Sequence, residues 1–182
     1  MTQIKIKKGA KIEYSRPAGS VAQQVYDTLT GTGTKFDTSL PLYVTGHSLG
    51  AALAVVCAMD IGTNMCSSYQ SGNLNMINFA GPLVAAGIEV FDYEVPPFGA
   101  VGNFVLAYEN AVNNSWQVVN AADIVPILPP AAINLSAISI DFKHVTGQTV
   151  TYCDQTESIG DNHDLTVNYL PYMASLAAGF PS

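Results

Sequence analysis

The stretch LPLYVTGHSLGAALAVV, residues 40–56, decides how the chain is read. Leu42-Tyr43-Val44-Thr45 is a β-branched and aromatic run that reads as a strand and stops at Gly46. The residues from Leu49 onward are small and apolar and read as a helix over 49–62. Between them, Gly46-His47-Ser48-Leu49-Gly50 matches G-x-S-x-G, with Ser48 at the junction. A strand that turns abruptly into a helix places such a serine at the apex of a strained turn. The flanking glycines are expected to keep side chains out of the crowded space where strand and helix meet. The helix start then directs free N–H groups and a positive dipole end at any anion formed beside Ser48, and the Leu49 N–H is the natural first oxyanion donor. The alternative is a turn serine that merely caps the helix.

A serine hydroxyl becomes a good nucleophile only when a base takes its proton, and the base needs an orienting carboxylate. The chain has three histidines. His47 lies on the elbow itself, so its ring is expected to point away from the side of Ser48 and to be structural. His144, inside the alternating run DFKHVTG, reads as a satisfied core or edge residue. His163 sits in GDNHDLTVNY, read as a polar loop before the last helix, and follows Asp123 in the chain. Ser, then Asp, then His is the order this elbow architecture uses. Asp123 falls just past a strand read at 115–120, but Asp60, Asp92, Asp141, Asp154, Asp161 and Asp164 are rivals, the last two more naturally helix caps.

Outward from the elbow, Gln3–Lys7 and 10–14 read as strands, and residues 19–30 as a helix capped by Ser20. A strand is predicted at 74–79, ended by Gly81-Pro82, followed by an irregular excursion over 83–102 and a helix over 103–112. A loop follows Leu128-Pro129-Pro130. AISIDFKHV and QTVTYC read as a late antiparallel hairpin around Thr146-Gly147, and the final helix begins near Asn162. This alternation implies an α/β fold with a mostly parallel sheet flanked by helices, whose functional residues gather at the carboxyl ends of the strands.

The formal charge of −7 at 12% charged residues argues against a nucleic-acid partner, since phosphates need a Lys/Arg cluster. Lys5, Lys7, Lys8 and Lys11 alternate with apolar residues and read as the wet face of a strand. Cys57, Cys66 and Cys153 fit no metal spacing, although a Cys66–Cys153 bridge is compatible with an oxidising compartment. No signal-peptide-like segment opens the chain.

YVTGHSLGAALA, NFAGP, VGNF, SWQVVNAADIVPILPP, FKHVTG and NHDLTVNYLPYM follow one another in the order and style of the class 3 (fungal-type) lipases, which the chain resembles over roughly residues 11–175. The resemblance implies one α/β-hydrolase domain over 1–182, with Ser48 as nucleophile, Asp123 as orienting acid, His163 as base and His144 as a structural histidine. It implies a triacylglycerol lipase or esterase that needs no cofactor and no metal, acts on acylglycerols or other acyl esters and contacts a lipid interface; the family holds both secreted and cellular members. The family also carries an upstream oxyanion strand and a lid helix. Neither is legible here, so the chain reads as N-terminally truncated, with its second oxyanion donor unidentified. Gly31-Thr32-Gly33-Thr34 reads as a connection. Phe91, Tyr93 and Phe98 offer a substitute lid, and Leu83, Val84, Ile124, Val125, Ile127, Leu128, Ile133 and Leu135 read either as an acyl groove or as plain core. The alternative is an incomplete or non-enzymatic lipase-like module that needs an N-terminal partner segment. A homodimer through an uncovered sheet edge is a further expectation.

Overall fold

The computed structural model describes residues 18–30, 37, 39–65, 72–90, 101–135, 138–145 and 147–179. The expected strands at 3–7 and 10–14, the Gly31–Thr34 connection, Cys66 and the 91–100 segment lie outside them.

Helix α1 (Val21–Thr30) starts where Ser20 predicts, the Ser20 Oγ accepting the Gln23 N–H at 3.1 Å. Strand β1 (Leu42–His47) runs through Ser48 into α2 (Leu49–Asp60), which ends in a wider π turn at Ile61–Met65. Strand β2 (Leu74–Phe79), strand β3 (Ala85–Val90), helix α3 (Val101–Ala111) and strand β4 (Asn114–Asn120) follow. The remainder comprises β5 (Ala132–Leu135), β6 (Ile138–Lys143), β7 (Gln148–Tyr152), a short α4 (Ile159–His163), a π turn at Leu165–Tyr169 and α5 (Leu170–Ala178).

Among the described residues, β1, β2, β4 and β7 form a parallel sheet in that order. The register sets His47 opposite Phe79, Phe79 opposite Val118, and Asn120 opposite Tyr152. The carboxyl ends of all four strands therefore open at one edge of the sheet, where the chain next delivers Ser48, Ala80, Asp123 and Asp154. The α/β reading with a mostly parallel, helix-flanked sheet agrees with this architecture.

The main core lies between this sheet and α1–α3, with Leu74, Met76, Val55, Ala58 and Tyr108 almost fully buried. Small residues on the inner face of α2, Ala51, Ala54 and Ala58, let the helix lie close to the sheet. Each buried Val, Leu or Met contributes roughly 1.5–3 kcal/mol. A second cluster of Ala80, Val118 and Tyr169, packed by Phe79, Tyr152, Tyr172 and Met173, lies beneath the strand ends. Within it the rings of Tyr152 and Tyr172 stack at 3.8 Å.

Three local expectations are corrected. AISIDFKHV and QTVTYC do not pair with each other: β6 lies antiparallel between β3 and β5, while β7 joins β4 in parallel. The chain between them cannot make a tight hairpin, because Val145 is buried in the main core and Gly147 presses against β4. A Cβ on Gly147 would sit 2.0 Å from the Ser115 carbonyl oxygen. Residues 85–90 and 132–135, read as irregular, are strands. Their Ala- and Gly-containing sequences have weak β propensity, and distant β6 supplies the pairing. The last helical region begins at Ile159 and breaks at Asp164. The Ser158 Oγ accepts the Asp161 N–H, and the Asp164 carboxylate accepts the Thr166 and Val167 N–H groups at 2.7 and 2.9 Å. His163 is thus the last residue of a helical turn rather than part of a loop, and of the two suspected caps only Asp164 is one.

Candidate active site

Ser48 has φ 58° and ψ −126°, the strained geometry expected at the apex of the turn. Its N–H donates to the Phe79 carbonyl at 3.0 Å, fastening the apex to β2. Gly46 is required by space: a Cβ there would sit 2.1 Å from the Gly50 carbonyl oxygen. Gly50 carries no such demand, since a Cβ on it would meet nothing within 4 Å, so only one of the two glycines acts as the motif suggests. The Ser48 side chain makes no cap hydrogen bond, which removes the cap-only reading.

The Ser48 hydroxyl donates instead to Nε2 of His163 at 2.7 Å. Nδ1–H of His163 donates to Oδ2 of Asp123 at 2.8 Å. The three side chains come from the end of β1, the turn after β4 and the end of α4. Asp123 is buried and fully engaged: Oδ1 accepts the Val125 N–H at 2.9 Å, and Oδ2 also accepts the Tyr169 hydroxyl at 2.6 Å. Burial, then the Asp123 bond, raises the Tyr169 phenol far above its ordinary pKa, so it remains a donor to the carboxylate. Leu49 opens α2, and its N–H has no preceding helical carbonyl to bond.

Asn120 ties the acid and base turns together. Fully buried, its Nδ2 donates to the carbonyls of Asp154 at 2.8 Å and Asn162 at 3.2 Å and to Oδ1 of Asn168 at 3.1 Å. Its Oδ1 accepts the N–H groups of Ala122 at 3.2 Å and Asp154 at 3.0 Å. Asn162, immediately before His163, uses Oδ1 to accept the Thr156 N–H and hydroxyl at 2.7 and 2.9 Å. Sequence reasoning missed Asn120 and Tyr169. The one available signal was a lone asparagine closing the apolar run SWQVV, because a buried amide must find partners.

His47 is structural as read, bonding a backbone carbonyl, but its direction departs from the reading. Its ring does not turn away from the site but lies 4.7 Å from the His163 ring, and its Nε2–H donates to the His163 carbonyl at 2.7 Å. His144 is satisfied as expected, donating from Nε2 to the Pro126 carbonyl at 2.8 Å, and burial lowers its pKa and favours the neutral ring. Of the expected groove residues, Val84 packs into the main core, whereas Ile124, Ile127 and Leu128 stand exposed on the turn after Asp123. Among the described residues no group of His, Cys, Asp or Glu side chains could hold a metal ion, and no helix is long and apolar enough to cross a membrane. Cys153 is exposed and unbridged.

The sequence model of the family described as Lipase (class 3) matches residues 2–133. The chain belongs to the class 3 lipase family. The matched span includes Ser48 and Asp123 and ends before His163. This class 3 lipase chain is 37% identical to a lipase of Caenorhabditis elegans over 95 residues, 52% of this chain and 22% of that protein. It is 28% identical over 133 residues to phospholipase A1-II 5 of Oryza sativa subsp. indica, 70% of this chain and 25% of that protein. The matches thus span about a quarter of these curated relatives. Among solved structures, it is similar to the Rhizomucor miehei lipase in its propeptide complex at 23% identity and TM-score 0.39, over 59% of this chain and 35% of that one. A triacylglycerol lipase described by its serine-protease triad gives 24% and 0.43, over 67% and 44%. The α/β-hydrolase class agrees with this chain's parallel sheet and strand–serine–helix elbow.

Proposed function

We propose that the chain is a serine carboxylic-ester hydrolase acting on acylglycerols or shorter acyl esters, with Ser48 as nucleophile, His163 as base and Asp123 as orienting acid. The observation that carries this reading is the continuous relay from the Ser48 hydroxyl to His163 at 2.7 Å and from His163 to Asp123 at 2.8 Å. His163 takes the Ser48 proton as the oxygen attacks the ester carbonyl. The oxyanion is stabilised by the Leu49 N–H at the helix start. His163 then gives its proton to the leaving alcohol. Water, deprotonated by the same ring, releases the acid and restores Ser48. The lipase and phospholipase A1 relatives support an acyl ester of a glycerolipid as the substrate class.

The exposed Ile124, Ile127 and Leu128 give an acyl tail an apolar surface beside Asp123. Such an open surface buries little of a long tail, and each CH₂ left in water forgoes about 0.8 kcal/mol. The purified chain is therefore expected to hydrolyse p-nitrophenyl butyrate and octanoate with higher kcat/KM than the palmitate. No turnover of any member of the series would overturn the reading, and a steady rise with chain length would overturn the open surface.

A second reading, in which the chain works only when covered by another segment or a second copy, is favoured by β1. Among the described residues it is an outer strand, and beside it Leu49, Leu53 and Val56 on α2 are 70%, 62% and 58% exposed. An outer strand next to an apolar stripe invites pairing at its open edge. Light scattering is expected to give a dimer that Leu53→Asp returns to monomer; a monomer throughout removes the second copy.

A further inference from the structure

His47 is covalently next to Ser48 and hydrogen-bonded to the backbone of His163, 116 residues away in the chain. The acceptor is a carbonyl, so Nε2 of His47 carries the proton. That carbonyl closes the five-residue helix α4, and at Asp164 the backbone turns extended, with φ −68° and ψ 130°. Carbonyls at a helix end lack intrahelical donors, so this one must be served from outside. His47 serves it. The ring is itself held edge-on by Tyr169, 5.8 Å away at 68°, and Tyr169 also donates to Asp123.

We infer that His47 is a positioning residue that fixes the separation between Ser48 and His163. This rests on reading Ser48, His163 and Asp123 as the reacting group. The imidazole of His163 must satisfy Asp123 at one nitrogen and Ser48 at the other. Its side-chain torsions can meet both only if its backbone stays put. One peptide link from Ser48 to His47 and one hydrogen bond from His47 to the His163 carbonyl are the shortest path joining nucleophile to base through the backbone. A slip there lengthens the Ser48–His163 contact directly, whereas the asparagine network holds the turn from the Asp123 side.

Two features of His47 can be separated by substitution. His47→Gln keeps an N–H donor at nearly the reach of Nε2 and loses the ring. His47→Phe keeps a ring against His163 and loses the donor. His47→Asn, small enough to fit and too short to reach the carbonyl, stands in for Phe should the larger ring not fold. The readouts are kcat and KM for p-nitrophenyl butyrate, and the low-field proton resonance of the His163 Nδ1–H···Asp123 bond, which needs no turnover. The expected result is a kcat for Gln within about threefold of the unsubstituted chain. For Phe and Asn, kcat falls about tenfold or more with KM little changed. The low-field resonance is kept in Gln and lost or broadened in Phe and Asn. An unchanged resonance in Phe and Asn overturns the inference. So does an equal loss in Gln, which would assign the effect to ring contact. If the unsubstituted chain shows no hydrolysis while the resonance follows the expected pattern, positioning stands and the catalytic reading alone fails.

Discussion

Replacing Ser48 by alanine is expected to lower kcat for ester hydrolysis by about 10⁴-fold or more, with the melting temperature nearly unchanged. Among the described residues the serine hydroxyl's partner is His163, and it makes no cap bond, so its removal leaves no buried donor there unsatisfied. Nor does alanine add strain of a kind foreign to this chain, since Ala80 already holds φ 53°. His163→Ala should lose activity to a similar extent, and the double variant should be little worse than either single one, because groups that act in one proton transfer are not additive. His144→Ala makes the contrast. Its imidazole donates to the Pro126 carbonyl and to none of the three proposed catalytic side chains, so it should lower the melting temperature and spare kcat. A Ser48→Ala protein within tenfold of the original activity, or an inactive but stable His144→Ala beside an active His163→Ala, would reverse the assignment.

The second large effect is expected from Asp123→Asn. Three donors converge on this carboxylate: the Val125 N–H, the Tyr169 hydroxyl and Nδ1–H of His163. A carboxylate accepts all of them. An amide has one accepting oxygen and must turn its NH₂ toward at least one of the three. If the NH₂ faces His163, the imidazole must present Nδ1 as acceptor and carry its proton on Nε2, where it cannot receive the Ser48 proton. The expected fall in kcat is about 10⁴-fold with KM little altered. If the NH₂ faces Val125 instead, a buried N–H loses its acceptor, at a stability cost of about 1–3 kcal/mol. Kinetics and thermal unfolding of one variant therefore tell which oxygen the amide replaces. A kcat within about tenfold of the original together with an unchanged melting temperature fits neither orientation of the amide and would remove Asp123 from the relay, reopening the choice among the other aspartates.

Much of the site was legible because it is built on local signals. A β-branched run, a glycine, a serine and an alanine-rich helix are adjacent in the chain, and the strained turn follows from that adjacency. Strand β2 lies where its alternation placed it, at Leu74–Phe79. What failed depends on distant partners. His47 reads as facing away because it lies on the elbow beside Ser48; its actual partner, the His163 carbonyl, is supplied by a helix end that reads in sequence as a loop. The hairpin of β6 and β7 failed for the same reason. Alternation identifies a strand but not its neighbour, and β4 and β3 offered better edges than each strand offered the other. Asn120 has no signature beyond its polarity, because a hub is defined by five side-chain hydrogen bonds to four residues spread over some fifty positions.

The central claim, that Ser48 is made nucleophilic by His163, is tested most directly by reacting the purified chain with a fluorophosphonate and locating the adduct by peptide mass spectrometry. The account predicts one phosphonyl group per chain, on the peptide containing Ser48, with labelling that is lost in Ser48→Ala and slowed by orders of magnitude in His163→Ala. An unlabelled chain, an adduct on another residue, or labelling of Ser48 at the same rate without His163 would contradict it.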